Sequence, residues 1–170
     1  MISVIIPVLN REKTIREAIA SVVNQTYVNW KLIVVDGGST DRTIEITEKF
    51  AKSDNRIKIY SCDGMKALTA VNYGIKLARG DIVGILNSDD YYTLNGFKRV
   101  AEIFAHDNSL DVICPKVKVI CDFGNKIVVE IIVQTDLNFY NLVFCAPYKP
   151  ARFFRKRLFD KIGLIDESYW

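Results

Sequence analysis

Short apolar runs that alternate with amphipathic stretches constrain this chain more than any other feature. Ile2 to Pro7, Trp30 to Asp36 and Ile82 to Leu86 are dense in β-branched and other apolar residues and read as buried strands. Pro7, lacking an N–H, is expected to stop the first ladder at its end. Arg56 to Ser61 sets basic or polar residues between Ile57 and Ile59 and reads as a strand nearer an edge. Between these runs the period changes to that of helices. Asn10 is placed to cap a helix with Ile15, Ala18, Ile19, Val22 and Val23 on one face, ending before Asn24-Gln25-Thr26. Gly37-Gly38 turns the chain, and Ser39, Thr40 or Asp41 caps a second helix that runs to about Lys52. Lys66 to Ala78 is the third, closed by Arg79-Gly80, and Asn95 to Ala105 is the fourth, with Phe97, Val100, Ala101 and Phe104 as its stripe. The order βαβαβαβα predicts an α/β fold, a mainly parallel sheet with helices on both faces.

The pattern changes after residue 110. Leu110 to Cys121 and Lys126 to Gln134 are β-rich runs on either side of Asp122-Phe123-Gly124-Asn125, a hairpin signal, so antiparallel strands are expected to extend the sheet. Arg152-Phe153-Phe154 reads as a short strand, and Lys156 to Ile162 as a helix stopped at Gly163. Neither a repeat nor a linker interrupts the 170 residues, which suffice for one domain with a true core.

Composition excludes several functions. The excess of 23 basic over 20 acidic residues is small and contains no long basic block, which argues against a nucleic-acid partner. It allows a weak attraction to phosphorylated ligands or anionic membrane surfaces. Cys62, Cys114, Cys121 and Cys145 form no CxxC pair and His106 is the single histidine, so zinc has almost no candidate ligands. Free thiols, the absence of a span-length apolar run and an N-terminus unlike a signal peptide together predict a cytoplasmic protein. Peripheral association with the cytosolic face of a membrane stays compatible with this reading.

In open parallel sheets ligands bind beyond the carboxyl ends of the strands. Three such ends carry polar residues here: Pro7-Val8-Leu9-Asn10-Arg11, Asp36-Gly37-Gly38-Ser39-Thr40-Asp41 and Asn87-Ser88-Asp89-Asp90. The last reads either as oxygen ligands for Mg2+ or Mn2+ with phosphates, or as a turn, since turns and N-caps prefer the same residue types. Asp36 reads either as an acceptor for a base or ribose, with glycines that admit a ligand to the backbone, or as a turn that caps the next helix. Arg11, Lys13 and Lys66 are candidates for a nucleotide's diphosphate, or ordinary solvated bases. Arg79 fits as a cation at a helix C-terminus, and His106 as an exposed residue in the connection after the fourth helix.

Three segments carry a resemblance: SVIIPVLNREKTIREAIASVVNQTYVNWKLIVVDGGSTDRT, AVNYGIKLARGDIVGILNSDD and ARFFRKRLFDKIGLIDES. Together they span nearly the whole chain, which resembles the family 2 glycosyltransferases, inverting enzymes of the GT-A fold that use nucleotide-diphosphate sugars. The resemblance implies one core over 1–170, with a nucleotide-sugar-binding half over 1–109 and an acceptor-side half over 110–170. It implies nucleotide contacts at Pro7, Leu9, Asn10, Asp36, Gly37, Asn87 and Ser88, to which Lys66 is added as a diphosphate candidate. Asp89 matches the metal-binding carboxylate of a DxD-like motif, Asn87 occupies that motif's first acid position, and Asp90 is assigned to the acceptor side. An Asn at the first position keeps a carbonyl ligand but lowers the charge. Leu9 stands where many relatives have an aromatic, and Gly37 where many have a second aspartate.

The implied reaction is metal-assisted transfer, with inversion, from a nucleotide-diphosphate sugar, a UDP-sugar first among them, to a glycan or lipid-linked acceptor. In the family the catalytic base follows the segment similar to GLIDESYW, which places it beyond Trp170. The sequence is therefore expected to be a C-terminally shortened core, and Asp166 and Glu167, whose other reading is helix-end and turn chemistry, are the nearest acids. A domain that binds a nucleotide sugar or a partner without turnover is the alternative. The apolar end Tyr169-Trp170 would favour self-association into a homo-oligomer.

Overall fold

The computed structural model describes residues 1–115, 117–122, 127–132 and 152–169. Strands β1 (Ile2–Val8), β2 (Trp30–Asp36), β3 (Ile57–Ser61) and β4 (Ile82–Ile85) alternate with helices α1 (Ile15–Val23), α2 (Thr43–Ser53), α3 (Ala67–Leu77) and α4 (Gly96–His106). Then come β5 (Val112–Ile113), β6 (Val117–Asp122), β7 (Ile127–Ile132), β8 (Arg152–Arg155), helix α5 (Lys156–Ile162) and a 3-10 turn at Glu167–Tyr169.

Six strands form one sheet in the order β3-β2-β1-β4-β8-β5. β1 pairs in parallel with β2 and β4, and β2 with β3, whereas β8 runs antiparallel to both β4 and β5. The strand pleat sorts the core into two layers. Ile2, Val4 and Ile6 of β1 and Trp30, Leu32 and Val34 of β2 pack with α1 and α4, while Ile5, Ile33 and Val35 point to the other face and meet Ala70, Val71 and Ile75 of α3. Each fully buried isoleucine of this kind contributes roughly 1.5–3 kcal/mol. Burial on both faces is why these runs are apolar throughout instead of alternating.

Several expectations are corrected. Pro7 does not end β1, because Val8 still pairs with Asp36. Ile5 accepts from Leu86 N–H on the β4 side, so Pro7, two residues on, faces that same side, where the β1–β4 ladder has already ended and no N–H is needed. Asn10 does not cap α1, which begins at Ile15 after a turn closed by Thr14 N–H and Ile15 N–H on Arg11 O. The hairpin does not extend the main sheet: β6 and β7 pair with each other in a separate two-stranded sheet, and the antiparallel extension comes from β8 and β5. Backbone pairing of β8 with Val83 and Gly84 is possible because Gly84 has no side chain. A Cβ there would lie 2.8 Å from Phe153 Cε1 and 3.3 Å from the Tyr92 hydroxyl. His106 is exposed, as the last residue of α4 and not in the connection after it. Helix α5 ends at Gly163 as expected. Cys145, Trp170 and the turn at 123–125 lie outside the described residues. Among the described residues no helix is long and apolar enough to cross a membrane.

Candidate nucleotide and metal site

The loops that follow β1 and β2 are joined by a ladder of hydrogen bonds between residues about thirty positions apart in sequence. Asn10 N–H donates to Ser39 Oγ at 2.9 Å, and Thr40 N–H donates to Asn10 Oδ1 at 2.9 Å. Arg11 N–H donates to Thr43 Oγ1 at 2.7 Å, Glu12 N–H to Asp41 Oδ2 at 3.1 Å, and Arg42 N–H to Glu12 Oε2 at 3.1 Å. Asn10 takes a left-handed φ of 52° to make its contacts, a conformation that Asn tolerates better than most residues. None of the three proposed caps for α2 holds the cap position, which is Arg42; Asp41, one residue earlier, braces the helix start by receiving the N–H and hydroxyl of Thr43, the first helical residue. Desolvation pushes the Asp41 carboxyl up, but the Thr43 hydroxyl and the N–H groups of Thr43 and Glu12 outweigh it and hold the group below its ordinary value.

Asp36 is buried at the end of β2, and both its oxygens are engaged. Gly38 N–H donates to Oδ2 at 3.1 Å, Ser39 N–H reaches Oδ2 at 3.0 Å, and the Ser39 hydroxyl donates to Oδ1. Gly38 turns here with φ of 99°, which a residue with a Cβ would resist. Asp36 thus organises its own turn, which is the second of the two roles the sequence allows it. Gly37 is buried between loops. Its N–H donates to Val8 O at 2.9 Å, its carbonyl accepts from Gly64 N–H at 3.1 Å, and a Cβ would meet Met65 O at 3.3 Å. That packing brings the loop leading to Lys66, at the start of α3, against the ends of β1 and β2. Leu9 stands 49% exposed beside Gly37, an apolar surface at the mouth of the same loops.

On the other side of β1, Leu86 is fully buried and delivers Asn87-Ser88-Asp89-Asp90 to the same sheet edge. The four residues form a turn closed by Asp90 N–H on Asn87 O at 3.1 Å, with Asn87 Nδ2 donating to Asp90 Oδ2 at 2.8 Å. The turn reading holds here, and the turn presents the carboxylates at the sheet edge. Ser88 is buried and Asp89 is exposed. Burial raises the Asp90 pKa, the Asn87 amide opposes the shift, and the neighbouring charge of Asp89 adds to it. Tyr92 holds the turn from behind: its N–H donates to Ser21 Oγ at 3.1 Å, its hydroxyl to Ile85 O at 3.3 Å, and its ring meets Phe97 and Phe153 at centroid distances of 5.2 Å.

Asp89, Asp90 and the Asn87 amide are hard oxygen donors suited to Mg2+ or Mn2+. A divalent cation would offset the repulsion that now disfavours ionisation of Asp90. Among the described residues no three His, Cys, Asp or Glu side chains cluster for a metal. The protein would thus supply only part of the coordination shell, as is usual where phosphate oxygens and water complete it.

The remaining candidates divide. Arg11 and Lys13 are exposed on the first loop, while Arg79, next to Gly80 whose N–H binds Ser3 Oγ, lies at the opposite sheet edge. Glu167 does not stand free: it accepts from Asn72 Nδ2 at 2.8 Å and from the Thr69 hydroxyl at 2.7 Å, and these bonds lower its pKa. Asp166 accepts from Ser168 N–H at 2.9 Å and is likewise lowered. Sequence reasoning missed Glu12, Thr43, Tyr92, Gly84 and Asn72. Their partners lie far along the chain, and no local periodicity marks them.

Comparison with known proteins places this geometry. The family model "Glycosyl transferase family 2" matches residues 3–163. The uncharacterized glycosyltransferase EpsJ of Bacillus subtilis is 38% identical over 113 residues, 66% of this chain and 33% of EpsJ. The Escherichia coli enzyme WfgD, a UDP-Glc:alpha-D-GlcNAc-diphosphoundecaprenol beta-1,3-glucosyltransferase, is 37% identical over 109 residues, 64% of this chain and 42% of WfgD. The chain thus spans well under half the length of these relatives. TarS 1-349 of S. aureus in complex with UDP superposes with a TM-score of 0.76 at 26% identity, over 94% of this chain and 48% of that one. The mannosyltransferase PcManGT of Pyrobaculum calidifontis, in complex with GDP-Man and Mn2+, gives 0.72 at 19% identity over 97% and 47%, a likeness of fold. The sheet, its helices and its antiparallel strands are those of the GT-A fold, and the chain belongs to glycosyl transferase family 2.

Proposed function

We propose that this chain is the donor-binding core of an inverting glycosyltransferase that takes a nucleotide-diphosphate sugar, with a UDP-sugar first among the donors. The observation that carries this is the gathering of three polar strand ends on one sheet edge, two locked together by Asn10, Arg11 and Glu12 and the third bearing Asp89 and Asp90. The complexes of TarS with UDP and of PcManGT with GDP-Man and Mn2+ support it by analogy. In this reading Leu9 packs on the base, the backbone of Pro7, Asn10 and Gly37 and the polar groups of Asn87 and Ser88 line the nucleoside, and Lys66 faces the diphosphate. Asp89 is the principal metal ligand, with Asn87 beside it and Asp90 toward the acceptor. Bound Mg2+ or Mn2+ would neutralise the diphosphate and ease its departure. A glycan or a lipid-linked saccharide is the acceptor we favour, and the halves 1–109 and 110–170 are assigned to donor and acceptor respectively.

A second reading is favoured by a specific observation. Asp166 and Glu167 are both committed to hydrogen bonds that hold their pKa values low, the reverse of what a general base near neutral pH needs. The 170 residues alone would then bind donor with little transfer. Isothermal titration with nucleoside diphosphates, with and without Mn2+, tests the donor site. Heat that strengthens with Mn2+ is expected, and a folded sample giving none with any nucleotide removes the assignment. A Glu167→Gln variant that hydrolyses donor as fast as the wild type would support the second reading.

A further inference from the structure

The two arginines of β8 have opposite fates. Arg155, opposite Ile82 at one end of the strand, is well partnered: Nε donates to Leu110 O at 3.2 Å, a terminal nitrogen reaches Phe104 O, Asp107 O and Asn108 Oδ1, and the guanidinium lies 4.8 Å over the Phe104 ring. Arg152 begins the strand at its other end, opposite Ile85, where β4 turns into the acid-bearing loop. Its Nε is shut off from water and, among the described residues, has no hydrogen-bond partner. Among the described residues it is the one guanidinium nitrogen in that position, and the titratable group that acts on it is the Cys114 thiol, not a carboxylate. Arg152 shares its face of the sheet with Phe154, which packs on Phe159 of α5, so it lies on the side covered by α3 and α5. Arg152 is half-buried as a residue, but a guanidinium N–H closed off from water without an acceptor is costly, and native proteins keep one where something else completes it.

We infer that Arg152 is an anchor for a phosphate oxyanion at the acceptor-side end of the sheet edge, reached by a phosphorylated ligand that supplies the missing charge and acceptor atoms. A guanidinium suits this role because its fork offers two parallel donors to a phosphate. The inference rests on reading this edge as a place for phosphorylated ligands. The phosphate could belong to the donor's diphosphate or to a lipid-linked acceptor, and the test separates these sources.

Wild type, Arg152→Gln, Arg152→Lys and Arg155→Gln are titrated with inorganic pyrophosphate, UDP with Mn2+ and a short-chain prenyl diphosphate, and each variant's thermal unfolding is followed. Arg152→Gln is expected to weaken phosphate binding by about tenfold or more, with Arg152→Lys between it and wild type. Weakening of UDP assigns the anchor to the donor, and weakening of the prenyl diphosphate alone assigns it to the acceptor. Arg152→Gln is also expected to melt no lower than wild type, since it removes an uncompensated charge, whereas Arg155→Gln melts lower. Unchanged binding of all three phosphates, or an Arg152→Gln that melts as low as Arg155→Gln or does not fold, makes Arg152 structural and overturns the inference. Wild type that binds UDP with Mn2+, with neither UDP, pyrophosphate nor the prenyl diphosphate weakened by Arg152→Gln, sinks this anchor and leaves the donor reading standing. Pyrophosphate held through Arg152 with no nucleotide bound does the reverse.

Discussion

The loops after β1 and β2 and the turn after β4 use the same residue types at the same sheet edge, and they distribute charge differently. Asp36 accepts from N–H groups and a hydroxyl of its own loop, and Asp41 from the N–H and hydroxyl of Thr43 and, across to the first loop, from Glu12 N–H. Asp89 and Asp90 stand side by side with one amide, that of Asn87, donating to Asp90. The first pair is spent on architecture, and its removal should cost stability. The second keeps charge in reserve, and its removal should cost binding. An aspartate at a strand end is thus a functional signal only when its own loop leaves it unsatisfied.

The strongest way to break this contrast is Asp89→Asn. It should weaken Mn2+-dependent binding of UDP by about a hundredfold or more, because a metal-phosphate centre loses its most accessible carboxylate. The urea midpoint should hardly move, since Asp89 is exposed. Titration beside a denaturation curve reads both, and a large loss of stability with intact binding would reverse the roles of the two regions.

Thr43→Val should do the opposite. Thr43 is fully buried, and its Oγ1 accepts from Arg11 N–H. Valine keeps the shape but strands that donor and removes the hydroxyl from Asp41, which keeps its two N–H donors, at a cost of about 1–3 kcal/mol. Chemical denaturation should show that loss, with UDP affinity changed far less than by Asp89→Asn.

A smaller effect separates the two regions by pH. The folded protein holds the proton of Asp90 more tightly than the unfolded chain does, because burial, opposed by the Asn87 amide and aided by Asp89, raises its pKa. Its contribution to stability is full below the ordinary carboxylate range and is lost as pH rises through the raised value. Mn2+ binding should strengthen across that same window, as the carboxylate becomes available. Asp90→Asn should flatten the stability trend. A variant that keeps the wild-type pH dependence of both melting and Mn2+ affinity would remove Asp90 from the account.

Much of the fold was legible because β1, β2 and β4 are buried on both faces and so read as unbroken apolar runs, and because α1, α3 and α4 carry clear stripes. The three polar strand ends were legible for the same reason, standing where those runs stop. What escaped was contact between distant residues. The ladder from Asn10, Arg11 and Glu12 to Ser39 through Thr43 gives no local pattern, and Asn10 looks like a helix cap until its partner Thr40 is seen. The insertion of β8 between β4 and β5 depends on Gly84 leaving room for Phe153, a fit that neither strand declares alone. A short run such as Arg152 to Arg155 can take either an edge or an interior place, and only its packing decides.

The smallest expected effect concerns Glu167, and it sharpens the contrast from a third position. Asn72 is a buried amide in the middle of α3 whose Nδ2 donates to Ile165 O at 2.7 Å and to Glu167, while its Oδ1 accepts from Ile165 N–H at 3.0 Å. The segment after α5 is therefore latched to α3 chiefly by Asn72, with Thr69 joining through the charged Glu167. The Asn72 and Thr69 bonds lower the Glu167 pKa, so its sign is opposite to that of Asp90: its stabilisation is present above the ordinary glutamate range and is lost as pH falls through the lowered value. Glu167→Gln keeps an acceptor for Asn72 but removes the charge, so the latch should loosen only slightly at neutral pH and lose its pH dependence. Hydrogen exchange at Ile165 N–H reads this directly. A lower protection factor, relative to the intrinsic exchange rate at each pH, in wild type at acidic pH, matched by Glu167→Gln at all pH values, is the expected result. Equal exchange in both proteins across the range would mean that Asn72 alone holds the segment, leaving the Glu167 carboxylate unneeded by the fold.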